Sequence, residues 1–311
     1  MNINFIFLVF HLWSFSSRAL RVMVIGDSVD RYMVSDWCVE NDGILYTDKT
    51  MNKFTALNEL MSPHSRRFKS WEFRTCIALS RGINISYVFN RIGVRTREPF
   101  YMPITTVAGL NEEQKLLLKN SNSQEKSIMI TIGPALKALT NPKVLGGPVE
   151  AVFLHSGFWD LSKRVNITVS NEKGDGHVVA KAMDKWIDNW YNNASILMSL
   201  MQKQYPEAHY FGWRYASDFS IAHHSHLAAR NWHDLMAHKL KDKMNQKIKL
   251  LKDTSDSSGL NNLRSKRQYK ILDHRLLHSP SARRDPLHLS RPACVQIFEV
   301  FLSNIDILNL R

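Results

Sequence analysis

Residues 21–31 read Arg21-Val22-Met23-Val24-Ile25-Gly26-Asp27-Ser28-Val29-Asp30-Arg31, and this stretch decides the fold. Arg21 to Ile25 is a short apolar run rich in β-branched residues, the pattern of a buried strand. Gly26 ends the run, and helical spacing follows from about Val29 to Val39. A buried strand, a tight turn and a helix therefore open the domain. Further strand-like runs extend from Ile83 to Ile92, Ser127 to Ile132, Glu150 to Leu154, His209 to Trp213 and Gln268 to Leu272. Helical patterns lie between them, from Ala180 to Gln204 and from Ser225 to Leu251, and a closing apolar helix runs from Pro292 to Leu308. Strands that alternate with helices predict an α/β fold, a mainly parallel sheet covered on both faces. The polar stretches 120–126 and 253–267 read as loops within one domain, and no internal repeat is present.

Composition agrees with a folded domain. The chain has 311 residues, 44% of them apolar and 22% charged, which excludes disordered, collagen-like and coiled-coil chains. A chain of this length buries a full core without stapling by disulfides or metals. Forty-one Lys and Arg against 28 Asp and Glu give a net charge of +13. The basic residues thicken between Lys239 and Arg284, which suits an anionic polysaccharide partner or simply a solvated surface. No nucleic-acid recognition motif accompanies the charge, so no nucleic-acid partner is expected.

Residues 1–19 predict a signal peptide, with the domain filling 20–311. The apolar stretch from Ile3 to Phe15 is too short for a comfortable span of roughly 20 residues, and it suits a secretory h-region. Ser17 and Ala19 place small residues before a cut at Leu20, although the leader carries no Lys or Arg ahead of the apolar stretch. A signal anchor facing a lumen is the rival reading. Sequons at Asn84, Asn166 and Asn193 agree with a secreted or luminal glycoprotein that has no stable membrane span. In an oxidising compartment, Cys38, Cys76 and Cys294 form an odd set. The expected pairing is Cys38–Cys76, with Cys294 a buried free thiol; three free thiols are the alternative.

Chemistry centres on Ser28. It sits where the first strand hands over to a helix, at the edge where open parallel sheets place their ligand crevice. The helix N-terminus there favours developing negative charge, so one residue offers a nucleophilic oxygen and an oxyanion donor. A plain capping turn is the bland alternative. Near the other end, Asp285-Pro286-Leu287-His288 lies in a loop before the closing helix. An Asp three residues before a His can orient the imidazole, which leaves its far nitrogen to take a proton from Ser28. His223, His224, His226, His233 and His238 cluster, but no Cys or carboxylate pair joins them at ligand spacing. Neither a phosphate loop nor a dinucleotide glycine pattern is present, and no metal or cofactor is expected.

GDSVDR at 26–31, directly after a hydrophobic strand, together with the late DPLH, resembles the SGNH or GDSL-type hydrolases. Gly26-Asp27-Ser28-x-x-Arg31 is similar to the PC-esterase branch, which includes the trichome-birefringence-like polysaccharide O-acetyltransferases. Residues 152–160 (VFLHSGFWD) and 210–214 (YFGWR) resemble two further blocks of that branch. The resemblance implies a three-layer α/β/α flavodoxin-like sandwich and a Ser–His–Asp mechanism: Ser28 the nucleophile, His288 the base and Asp285 its orienter. It implies an oxyanion hole of the Ser28 N–H, Gly93 and the residue at 155, where the family carries Asn and this chain His155. An imidazole N–H can donate the same bond, or His155 can be a packing residue. Arg31 and Arg214 are candidates for substrate binding, with pairing to Asp27 or Asp30 as the competing role, while Asp30 suits the helix dipole. The implied activity is a secreted serine esterase, hydrolase type, acting on an ester such as an O-acetylated glycan. An O-acyltransferase to a sugar hydroxyl and a non-catalytic glycan-binding protein are the alternatives.

Overall fold

The computed structural model describes residues 19–47, 73–89, 147–155, 191–192, 194–214, 267–272 and 289–305, with isolated helical positions elsewhere. The opening stretch folds as read. Strand β1 (Leu20–Gly26) is buried at every position, and helix α1 (Ser28–Glu40) follows after Asp27. The remaining strands are β2 (Ile44–Thr47), β3 (Phe73–Ala78), β4 (Ile83–Phe89), β5 (Ala151–Leu154), β6 (Tyr210–Arg214) and β7 (Gln268–Leu272). Helix α2 covers 194–204 and helix α3 is Arg291–Ser303.

All seven strands form one sheet in the order β2-β3-β4-β1-β5-β6-β7. Strands β4, β1, β5, β6 and β7 are parallel, and β2 and β3 extend the β4 side antiparallel. Taken alone, the parallel strands follow the flavodoxin order 2-1-3-4-5, whose switch point lies beside β1. This is the expected α/β sandwich. Strands β2 and β3 were not expected from the sequence: β2 is four residues long, and β3 carries Arg74 and Thr75 inside its apolar pattern. The expected strand from Ser127 to Ile132 lies outside the described residues, as does the leader before residue 19. The expected helix from Ser225 to Leu251 is described at 242–243, 245–246 and 248–250, where it is helical.

Strand alternation sorts the core into two faces. Val22, Val24, Phe153, Tyr210 and Leu272 join one buried cluster with Met33 and Trp37 of α1 and Ile297, Phe298 and Phe301 of α3. Phe298 sits between Trp37 and Phe153, with ring centroids 5.6 and 6.2 Å away. Gly212 makes this packing possible, because a Cβ there would fall 2.7 Å from the Phe153 ring and 2.8 Å from Leu272. Trp37 Nε1 also donates to Glu299 Oε1 at 2.9 Å, which ties α1 to α3. On the opposite face Phe211 stacks on Tyr269 at 5.7 Å, and Gln202 of α2 donates to the Tyr269 hydroxyl at 2.7 Å. Helices therefore cover both faces. No helix among the described residues is long and apolar enough to cross a membrane.

The disulfide expectation holds. Cys38, in the last turn of α1, is bonded to Cys76 of β3, and Cys294 is a buried free thiol in α3. The turn between α1 and β2 needs glycine at 43 for space, since a Cβ there would meet the two sulfurs at 2.8 and 2.9 Å. One sequon is corrected. Asn84 is 3% exposed in β4, in register between Arg21 of β1 and Ile77 of β3. A side chain this buried has no room for a glycan in the folded protein. Asn166 and Asn193 lie outside the described residues.

Candidate functional site

Ser28 is the first residue of α1, at the carboxyl end of the central strand β1, and is 8% exposed. Asp27 caps the helix: its Oδ1 accepts from Val29 N at 2.8 Å, and its own N–H donates to Asp30 Oδ2 at 2.9 Å. This is a capping box closed by an aspartate at the third position, in place of the usual Glu or Gln. The Asp27 carbonyl accepts the first helical bond from Arg31 N at 3.1 Å and a second from the Tyr87 hydroxyl of β4 at 2.7 Å. Gly26 lets the Asp30 carboxylate lie against the backbone, because a Cβ at 26 would overlap Asp30 Oδ2.

Two side chains from neighbouring strands close around this turn. Strand register explains their meeting: Ile25, Leu154 and Trp213 lie side by side on β1, β5 and β6. The next row therefore brings together Gly26, His155 and Arg214. Arg214 is 1% exposed. Its Nε donates to Asp30 Oδ1 at 2.5 Å, and its Nη2 donates to Asp30 Oδ2 at 2.9 Å and to Asp27 Oδ1 at 3.1 Å. His155 is 2% exposed. Its Nδ1 donates to the Arg214 carbonyl at 3.0 Å, which fixes that nitrogen as protonated, since a carbonyl only accepts. Its Nε2 lies 3.0 Å from Asp27 Oδ2.

The electrostatics follow from this packing. Burial pushes the Asp27 carboxyl up, but Arg214, then His155, then the Val29 N–H more than reverse it and hold it well below the usual carboxylate range. Burial works against the Arg214 guanidinium, and Asp30 and Asp27 raise it above its ordinary value. Burial, and then the charges of Asp30 and Asp27, push the Tyr87 phenol well up, so its proton stays on to donate to the turn. Asp27, Asp30 and His155 bring ligand atoms within 4.8 Å of one another, enough in number for a metal. Arg214 bonds both Asp30 oxygens and Asp27 Oδ1, and it leaves Asp27 Oδ2 and His155 Nε2, 3.0 Å apart, as the ligand atoms of this cluster that the guanidinium does not hold.

Two expectations change here. His155 is not a donor to an oxyanion hole: one ring nitrogen is bonded to Arg214 and the other faces Asp27. Arg214 is not a substrate-binding residue, because its guanidinium is buried on Asp27 and Asp30, the competing role named from sequence. Asp30, read as a dipole partner, is in addition the main anion of that pair. Arg31 is half-buried with its guanidinium 4.9 Å over the Tyr32 ring. Tyr87 was missed; its signal was present, as a tyrosine near the end of a buried strand adjacent to β1. Gly93, Asp285, His288 and the histidines at 223–238 lie outside the described residues.

No known family matches the chain, and no curated protein does. Among solved structures, the acetyl xylan esterase AlAXEase is similar with a TM-score of 0.38 and 11% identity, over 92% of this chain and 100% of that one.

Proposed function

We propose that the protein is a serine esterase in which Ser28 attacks an ester carbonyl. The observation that carries this reading is the position of Ser28: first residue of a helix, at the carboxyl edge of the central parallel strand, beside the switch point of a 2-1-3-4-5 sheet. His288, oriented by Asp285, takes the hydroxyl proton as the C–O bond forms, and the Ser28 N–H stabilises the tetrahedral oxyanion. His288 then protonates the leaving alcohol, and water releases the acid from the acyl-enzyme. Support for His288 comes from its neighbour Leu289, which is buried in the same apolar cluster as Val29 and Met33 of α1. The finer reading is an SGNH-type enzyme of the secretory pathway that removes O-acetyl groups from a glycan. A sugar hydroxyl in place of water would make it a transferase.

One observation favours a second reading, a non-catalytic glycan-binding protein on the same fold. With His155 committed to Asp27 and Arg214, residue 155 does not supply the side-chain donor expected of the hole, and a donor lost outright is typically worth about a hundredfold to a thousandfold in turnover. Both readings meet the same test. Wild type and Ser28→Ala are compared on p-nitrophenyl acetate and with a fluorophosphonate probe mapped by mass spectrometry. Probe on Ser28 and nitrophenol release lost in Ser28→Ala are expected. Equal release by the two proteins, with no label on Ser28, would discard the esterase reading. Secretion is tested by the N-terminus of the mature protein, expected at Leu20. Glycan removal by an amidase should leave Asn84 unconverted.

A further inference from the structure

The turn that carries Ser28 is gripped from three strands at once. Tyr87 of β4 holds the Asp27 carbonyl, His155 of β5 lies against Asp27 Oδ2, and Arg214 of β6 bonds both carboxylates. Two carboxylates at one helix start exceed what a helix dipole of roughly half a charge accommodates. Left alone, they would set a buried negative field beneath the point where an oxyanion develops, in a medium that screens poorly. Arg214 is the fixed cation that cancels one of those charges. Its fork also sets the Asp27 and Asp30 carboxylates at the angles from which they receive the Val29 and Asp27 N–H groups.

We propose that Arg214 is a positioning residue for the nucleophile: through Asp27 and Asp30 it fixes the start of α1 and neutralises its base, so that Ser28 and its N–H face the substrate in a reactive arrangement. This deepens the esterase reading and rests on it for the kinetic part. The role differs from substrate binding, which would act on KM. It differs also from plain support, which would act on the folded fraction and leave each folded molecule as fast as wild type.

The test compares Arg214→Lys, Arg214→Gln, and Arg214→Gln combined with Asp30→Asn. The double variant restores charge balance and keeps an acceptor for the Asp27 N–H. Three quantities are read on folded protein: kcat and KM for p-nitrophenyl acetate, the rate of fluorophosphonate labelling at Ser28, and amide hydrogen exchange of the 26–31 peptide. Arg214→Gln should lower kcat and labelling by about a hundredfold, the scale of one lost oxyanion contact, with KM within about twofold. Arg214→Lys, charged but without the fork, should fall between it and wild type. The double variant should regain at least about tenfold of the loss. Exchange in 26–31 should rise about tenfold in Arg214→Gln and return toward wild type in the double, with β1 and β4 unchanged.

A rise in KM with kcat intact would overturn the proposal in favour of substrate binding. So would wild-type labelling and exchange in a folded Arg214→Gln. If Arg214→Gln does not fold, Arg214→Lys and the double variant are compared with wild type, and a folded double that still labels about a hundredfold more slowly than wild type, or an Arg214→Lys that labels and exchanges as wild type does, would overturn it. If wild type itself is never labelled, the esterase reading fails, and the exchange arm still decides whether Arg214 holds the turn.

Discussion

Replacing Gly26 by alanine tests the packing on which the turn depends. Gly26 does not have a positive φ, so its need for glycine is one of space and not of backbone conformation. On backbone grounds alone, the substitution would stabilise by about 0.4–1 kcal/mol through the unfolded chain. The added Cβ would overlap Asp30 Oδ2 and stand 2.5 and 2.9 Å from Asp30 Cγ and Cβ. Asp30 would have to swing away, and its carboxylate holds three buried bonds: to Asp27 N at 2.9 Å, and to Arg214 Nε and Nη2 at 2.5 and 2.9 Å. Breaking a buried ion pair from one side costs about 3–5 kcal/mol, so the loss wins and Gly26→Ala should destabilise by about 3 kcal/mol or more. The assay is urea unfolding followed by tryptophan fluorescence and far-UV circular dichroism. The decisive comparison is a double-mutant cycle. In an Asp30→Ala background the two nearest colliding atoms are gone, and Gly26→Ala should then cost about 1 kcal/mol or less. If the substitution costs the same in both backgrounds, within about 0.5 kcal/mol, the collision with Asp30 is not why glycine stands there.

Removing the disulfide by Cys38→Ala with Cys76→Ala should destabilise by about 4 kcal/mol, from the chain entropy of a loop closed across a separation of 38 residues. The urea midpoint with and without the bridge measures it, and a change under about 1 kcal/mol would contradict the entropy argument. The Asp27 carboxyl is held below its ordinary range when folded, so its contribution is complete above the unfolded value of about 4 and is lost as pH falls through and below that value. Unfolding between pH 3 and 7 should show Asp27→Asn less stable at pH 7 and flatter toward acid than wild type; parallel curves would count against the assignment. His155→Ala should lower stability by about 1–3 kcal/mol, because the Arg214 carbonyl loses its ring N–H and Asp27 Oδ2 loses the imidazole that lies 3.0 Å from it. Esterase turnover measured beside it should not fall by the hundredfold that a lost oxyanion donor would bring.

The parallel part of this fold was readable because strands buried on both faces become unbroken apolar runs. Arg21 to Ile25 and Ala151 to Leu154 show it plainly. Strands β2 and β3 escaped notice for the opposite reason: an antiparallel edge can face polar surroundings, so Phe73–Ala78 mixes Arg74 and Thr75 with apolar positions. The place of Ser28 at the start of the first helix was legible from the handover of strand to helix, while the oxidising compartment allowed the Cys38–Cys76 bridge without selecting it. The duty of His155 was not legible. The family pattern drew attention to the donor that an Asn would supply, whereas sheet register alone places residue 155 in the row of Gly26 and Arg214, beneath the turn. Burial of Asn84 was likewise invisible to a tripeptide rule, which sees Asn-Ile-Ser and not the two strands that flank it.

The choice of arginine at 214 follows from the same geometry. Strand β6 is two places from β1, a distance of about 9.6 Å at the usual spacing. Only a long side chain crosses that gap, and it must pass the strand between, where residue 155 sits. Lysine reaches as far but ends in a single point of charge, while the guanidinium spans Asp30 and still touches Asp27. The long side chain crosses at the level of residue 155, and its own carbonyl, left at the end of β6, is the acceptor that fixes the imidazole. The acids, the histidine and the arginine thus answer one constraint. A helix that begins at the centre of an open parallel sheet has buried N–H groups to satisfy, and once carboxylates satisfy them, charge has to come from the neighbouring strands.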